Sequence, residues 1–254
     1  MQEIIKNTLG DLEKEYEIKI LYACESGSRA WGFASPDSDY DIRFIYCHPK
    51  DWYLKLFPQK DVIDRMLPME QDVGGWDLRK TLQLFAKSNI ALFEWLNSPI
   101  IYKNDDSFLN EISGLIPLFF NPKKGMFHYF SMAANTYEQH LKDEQVKLKK
   151  LFYFIRPILA CEWIWKNHTM PPTDFHEIYD SDITTDFEKD FIKDLLKKKE
   201  IAKEGELIEV PEELRVWMNK KMALNKQRAE EIAPQEKADT SLLDKLFLKA
   251  IRSS

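Results

Sequence analysis

With 254 residues, 44% hydrophobic and 31% charged, the chain has the make-up of a soluble globular protein with one large domain or two small ones. No apolar run approaches the ~18–20 residues of a membrane span. The acidic opening MQEIIKNTLGDLEKEYEIK has no apolar region of a secretory signal, so neither a membrane nor an export role is expected. The net charge of −6 argues against a protein that coats nucleic acid, yet leaves room for an enzyme with a local cationic surface.

Cys24, Cys47 and Cys161 are odd in number and widely spaced, which provides neither a disulfide framework nor a CxxC metal site. A reducing cytoplasm is the expected compartment. His48, His140, His168 and His176 show no ligand spacing, so zinc is not expected, and His128 reads as a packing or capping residue.

In chain order, Ile4, Ile5, Leu9 and Leu12 recur at helical spacing and predict an amphipathic opening helix. The apolar run IKILYA over residues 18–23 predicts a strand, followed by a turn at Gly27-Ser28 and a short helical piece over residues 29–31. The loop FASPDS leads into a second strand over residues 40–46. A brief helix at 51–56 and two short strands at 61–67 and 71–74 follow. From Trp76 the period changes: Leu78, Thr81, Leu82 and Phe85 mark a helix, a second covers residues 90–97, and Ser98-Pro99 breaks it. Beyond residue 105 almost everything reads as helical, with helices expected at 127–140, 146–166, 185–199 and 211–233 and a loop at 167–182. The expected architecture is α+β. A small α/β domain, a mixed sheet flanked by helices, occupies residues 1–104, and a helical domain without strands occupies residues 105–254.

The chemistry centres on Asp39-Tyr40-Asp41-Ile42. Residues i and i+2 of a strand share a face, so Asp39 and Asp41 project together, roughly 7 Å apart. Such neighbours repel unless a cation sits between them, and Mg²⁺ takes one or two carboxylates together with phosphate oxygens and water. A D-x-D alone is more often a solvated turn. Here, twelve residues upstream, Gly27-Ser28 directly follows an apolar strand; the glycine lets the backbone approach a phosphate and the serine offers a hydroxyl.

This order, an apolar strand, Gly-Ser, ten residues, then Asp-x-Asp-x with apolar x, resembles the motif of the polymerase β-type nucleotidyltransferase superfamily. It departs only in that Glu25-Ser26, not an apolar residue, precedes Gly27. The resemblance implies a triphosphate clamp at Gly27, Ser28 and Arg29, metal ligands at Asp39 and Asp41, and a third carboxylate from a later strand. Asp61, Asp64, Glu70 and Asp72 are open to that third role, and Asp77, whose simpler reading is a helix N-cap, comes next after Asp72. The stretch DVGGWDLRKTLQLFAKSNIALFEWLNSPIIY, residues 72–102, further resembles a branch of bacterial and phage nucleotidyltransferases associated with RNA repair, and on that likeness Asp72 is favoured.

Residues 121–156 carry Lys123, Lys124, Lys142, Lys147, Lys149, Lys150 and Arg156 against Glu138, Asp143 and Glu144, a cationic stretch in an acidic protein. In VKLKKLFYFIRP, Lys149, Tyr153 and Arg156 fall on one helix face with Lys150 nearby, a stripe suited to a triphosphate or an RNA backbone with Tyr153 stacking on a base. A solvated helix face is the plainer reading; the same RNA-repair branch resembles this segment too.

The expectation is therefore an enzyme that uses Mg²⁺ or Mn²⁺ to transfer a nucleoside monophosphate from an NTP to an acceptor hydroxyl. Asp39, Asp41 and Asp72 act as metal ligands and catalytic groups. The acceptor implied by the branch is an RNA end. Transfer to a protein side chain, as in minimal nucleotidyltransferase antitoxins, transfer to a small molecule, and a silent nucleotide- or RNA-binding module remain open beside it.

Overall fold

The computed structural model describes residues 1–68, 70–201, 205–233 and 235–252. The chain forms two compact units: Met1–Ala30, Asp39–Phe119 and Lys237–Ser254 make the first, and Trp31–Ser38 with Phe120–Glu236 make the second. Among the described residues no helix is long and apolar enough to cross a membrane.

The first unit is built on a five-stranded sheet. Its strands are β1 (Lys19–Glu25), β2 (Tyr40–Cys47), β3 (Val62–Leu67), β4 (Gln71–Asp77) and β5 (Ile101–Asn104), in the order β3-β4-β2-β1-β5. β2 and β4 run parallel and every other pair is antiparallel, so the sheet is mixed. The helices of this unit are α1 (Gln2–Tyr16), α2 (Gly27–Ala30), α3 (Lys50–Tyr53), α4 (Leu78–Ala86), α5 (Ile90–Leu96), α6 (Asp106–Phe119) and, from the far end of the chain, α12 (Ser241–Arg252).

One face of the sheet is sealed by α1. Ile5, Leu9 and Leu12 pack with Ile20, Ala23, Ile42, Phe44, Ile63 and Val73 into one core. The alternation along β2 is what selects this face: Ile42, Phe44 and Tyr46 point into the core, which turns Asp41 and Arg43 the other way. Gly75 of β4 is required by the same core, because a Cβ there would lie 2.3 Å from the Phe44 ring.

The helices read from periodicity are present, with caps that explain their starts. Asp77 accepts the Arg79 amide at 2.8 Å and caps α4, and Asn89 accepts the Leu92 amide at 2.9 Å and caps α5.

The second unit contains α7 (Pro122–His140), β6 (Gln145–Lys147), α8 (Leu148–Asn167), α9 (Phe175–Tyr179), α10 (Asp186–Ile201), β7 (Leu207–Glu209) and α11 (Glu212–Glu231). It is helical apart from β6 and β7, which pair antiparallel. These two strands are absent from the sequence reading, which begins a helix at Val146. Three-residue strands joined across sixty residues leave no local pattern to read.

The unit's core holds the apolar face of α8 together with Trp31 and Phe33 from the excursion Trp31–Ser38. It also contains a buried ionic cluster. Glu188, 4% exposed, accepts from Lys221 Nζ, Trp217 Nε1 and the Thr185 amide, each at 2.8 Å. Burial alone would raise its pKa, but Lys221, Thr185 and Trp217 together hold it down to about 2.

The folded pKa lies below the ordinary 4.5, so the stabilisation is present above pH 4.5 and is lost as pH falls towards 2. Glu188→Gln is expected to lower stability at neutral pH by about 2–3 kcal/mol, because it leaves the largely buried Lys221 with only the longer Glu162 contact, at 3.4 Å. It should also flatten the acid limb of the stability curve. Urea unfolding followed at several pH values checks both.

Candidate active site

The acids stand at the start of β2 and β4, on the side of the sheet turned away from α1. β2 and β4 pair in register with Asp41 beside Asp72 and Arg43 beside Gly74. In-register neighbours on adjacent strands project to the same side, so the two carboxylates stand side by side. Their side chains are 31% and 33% exposed, open to solvent yet flanked by the strands. Asp39 lies just before the first residue of β2 and is exposed.

Arg43 sits between the two acids. Its Nη2 donates to Asp72 Oδ2 at 2.6 Å and to Asp41 Oδ1 at 3.3 Å. Its Nη1 donates to the carbonyls of Asp72 at 2.9 Å and Ile42 at 3.1 Å. Gly74 leaves the guanidinium room, since a Cβ there would come to 3.4 Å from Nη1. Arg43 escapes the sequence reading, although the alternation that pairs Asp39 with Asp41 extends to it as i+2.

The turn between β1 and α2 closes on the other side of Asp41. Gly27 has φ +61°, and a Cβ at this position would lie 2.2 Å from Asp41 Oδ2. Glycine is therefore demanded twice, by backbone conformation and by the approach of the carboxylate. The Ser26 amide donates to the Asp41 carbonyl at 2.7 Å. Ser28 is buried in the short turn of α2. Arg29 donates from Nε to the Asp39 carbonyl at 3.1 Å, and its guanidinium lies 3.9 Å over the Tyr40 ring. Gly27, Arg29, Asp39 and Asp41 are thus brought into one neighbourhood.

Glu25, noted from sequence only as a departure from the pattern, is a structural member of this neighbourhood. It is fully buried, accepts the Asp41 amide at 2.9 Å and accepts the Tyr102 hydroxyl at 2.5 Å. Burial pushes its pKa up, the two hydrogen bonds oppose that rise, and the charge of Asp41 adds to it. The available signal is an acid closing an apolar strand, KILYACE, with Tyr102 on the neighbouring strand.

The other acids open to the third role stand elsewhere. Asp61 pairs with Lys80 at 3.1 Å, and Asp64 is exposed on β3. Glu70 occupies a left-handed turn position with φ 56°. Asp77 lies at the opposite end of β4 from Asp72, nearly fully buried, where it accepts the Tyr53 hydroxyl at 2.7 Å in addition to its capping bond. Burial raises its pKa, and the Tyr53 and backbone hydrogen bonds counter that rise. Of this set, Asp72 alone lies in register with Asp41.

The residues of α8 belong to the second unit. Lys149 and Lys150 place their ammonium groups 5.8 Å and 5.6 Å from the Tyr153 ring centre. Arg156 does not stand with them on an outer face: it is 1% exposed, with its guanidinium 4.4 Å from the Trp31 ring and a bond to the Thr173 carbonyl at 3.4 Å. The cause is the Trp31–Ser38 excursion, a long-range partner that helical periodicity cannot show. Phe33 stacks on Phe152 at 5.0 Å, the Trp31 carbonyl accepts the Phe175 amide at 3.0 Å, and Lys199 bonds the Ser35 hydroxyl.

A protein of Bacillus subtilis (strain 168), named "Uncharacterized protein YcgL", is 38% identical over 251 residues, which cover 99% of this chain and 96% of that protein. The family described as "RNA repair pathway DNA polymerase beta family" (RlaP) matches residues 1–249, that is, both units. The chain belongs to this family of polymerase β-like nucleotidyltransferases.

Proposed function

We propose that the protein transfers a nucleoside monophosphate from an NTP to the hydroxyl of an RNA end and releases pyrophosphate. The observation that carries this reading is the pairing of Asp41 and Asp72 on adjacent parallel strands, with the bare Cα of Gly27 against the Asp41 carboxylate. The RNA acceptor rests on the family description.

The residues present fit a divalent cation that arrives with its nucleotide. Among the described residues no three His, Cys, Asp or Glu side chains converge into a ready-made cation cage. Mg²⁺, however, is usually held by one or two carboxylates plus substrate phosphates and water, which the Asp41–Asp72 pair with exposed Asp39 can accommodate. When bound, Mg²⁺ or Mn²⁺ would favour ionisation of the acceptor hydroxyl and offset charge on the departing pyrophosphate.

The chain's own groups then have distinct tasks. Asp39 and Asp41 hold the metal-bearing end of the nucleotide, and Gly27, Ser28 and Arg29 accommodate the β- and γ-phosphates. The acceptor oxygen forms a bond to the α-phosphorus as the bond to the bridging oxygen breaks. The hydroxyl proton passes to Asp72 or to water. Glu25 positions Asp41 by holding its backbone amide. In the second unit, Lys149 and Lys150 offer charge to phosphates of RNA, and Tyr153 an aromatic face to a base. Arg156 supports Trp31.

The test offers each α-labelled NTP, with Mg²⁺ or Mn²⁺, to total RNA, to protein and to no acceptor. Label on RNA is expected. Label on protein would move the acceptor to a side chain, and NTP binding without label on any acceptor would overturn the reading.

A further inference from the structure

We propose that Arg43 is a resident counter-ion that holds the place of a divalent cation between Asp41 and Asp72 and must leave before a metal can bridge them. This inference rests on the metal-dependent reading above and concerns what the protein does before its substrate arrives.

Two carboxylates fixed side by side by strand register repel each other, and the sheet cannot relieve this by moving one strand. The guanidinium relieves it instead. One nitrogen, Nη2, donates to both acids, at 2.6 Å to Asp72 and 3.3 Å to Asp41. A cation that bridged the same oxygens would need the space and the lone pairs that Nη2 uses. The remaining anchors of the guanidinium are the backbone carbonyls of Asp72 and Ile42, and Gly74 beneath it leaves the group unobstructed by a side chain. The side chain is 20% exposed, so it has an open side through which to swing away.

Exchange of Arg43 for a metal is thus a choice between two positive occupants of one site. The protein alone favours the arginine. A triphosphate that brings its own cation and adds phosphate ligands would tip the balance, with Arg43 giving up Asp41 and Asp72 only when the nucleotide is present.

The test titrates full-length wild type, Arg43→Gln and Arg43→Lys with Mn²⁺ in the absence of nucleotide, and follows free Mn²⁺ by electron paramagnetic resonance. Arg43→Gln is expected to bind Mn²⁺ about tenfold more tightly than wild type, equivalent to about 1.4 kcal/mol. Arg43→Lys keeps a charge but lacks the fork, and it should fall between the two. The gain should vanish when Asp41→Asn is added to Arg43→Gln.

Equal affinity in all three proteins overturns the proposal, as does a gain that survives Asp41→Asn. If Arg43→Gln does not fold, Arg43→Lys carries the test: tighter binding than wild type supports the proposal and equal binding overturns it. The two readings fail separately. Absence of nucleotide transfer by wild type, with the Mn²⁺ difference intact, would sink the proposed reaction alone. Transfer to RNA with no Mn²⁺ difference would sink the role of Arg43 alone.

Discussion

Asp41→Asn is expected to reduce nucleotide transfer by about 10³-fold or more, about 4 kcal/mol of lost transition-state stabilisation, while the protein stays folded. The side chain meets the site at both oxygens: Oδ1 faces Arg43 and Oδ2 faces Gly27. Asparagine keeps the shape but removes the charge and turns one acceptor into a donor. The fold should tolerate this because the backbone bonds of residue 41, to Glu25 and from Ser26, are untouched. Arg43 also retains Asp72 as a partner. The lost ion pair is partly exposed, so stability should change by no more than about 1 kcal/mol. Transfer rates under saturating NTP, beside a thermal melt of the same sample, separate the two effects. Asp72→Asn should follow the same pattern.

Gly27→Ala tests the same centre from the opposite side. The new methyl would lie 2.2 Å from Asp41 Oδ2, far inside van der Waals contact, so the carboxylate must move by about 1 Å or more. A displacement of that size near reacting groups can cost about 10²-fold in rate. The left-handed backbone adds about 1–2 kcal/mol of strain for any residue with a Cβ. The variant is therefore expected to lose about 10²-fold in kcat/KM and to melt earlier than wild type. A full-rate Gly27→Ala enzyme would show that Asp41 does not work in the position described.

What the sequence discloses here is what local pattern determines. The apolar run before Gly27, the strand from Tyr40 and the helix marked by Leu78, Thr81, Leu82 and Phe85 all correspond to elements of the structure, while Asp39 falls just before β2. Asp77 and Asn89 behave as the caps and turn residues their types suggest. The features that escape are those made by partners distant in sequence. β5 is four residues long and acquires its meaning only by pairing with β1. Residues 29–31 read as a short helical piece and 33–38 as a connecting loop, yet residues 31–38 pack into the second unit and bury Arg156 under Trp31. The helix Ser241–Arg252 joins the first unit from the far end of the chain.

Within the site, the distinction is the same. The Asp-x-Asp motif and the glycine are visible as types at a spacing. The contact of Gly27 with Asp41 and the bridge of Arg43 between Asp41 and Asp72 depend on strand order and register. So does Glu25, whose value to the site lies in a hydrogen bond to the backbone of a residue sixteen positions away.

The measurement that bears most directly on the central claim compares α-labelled and γ-labelled NTP in parallel reactions with RNA, using wild type and Asp41→Asn. With wild type, α-label on the RNA and γ-label in pyrophosphate are expected, and with Asp41→Asn neither product above background. Label transferred from the γ-phosphate to the RNA, or undiminished α-label transfer by Asp41→Asn, would contradict it.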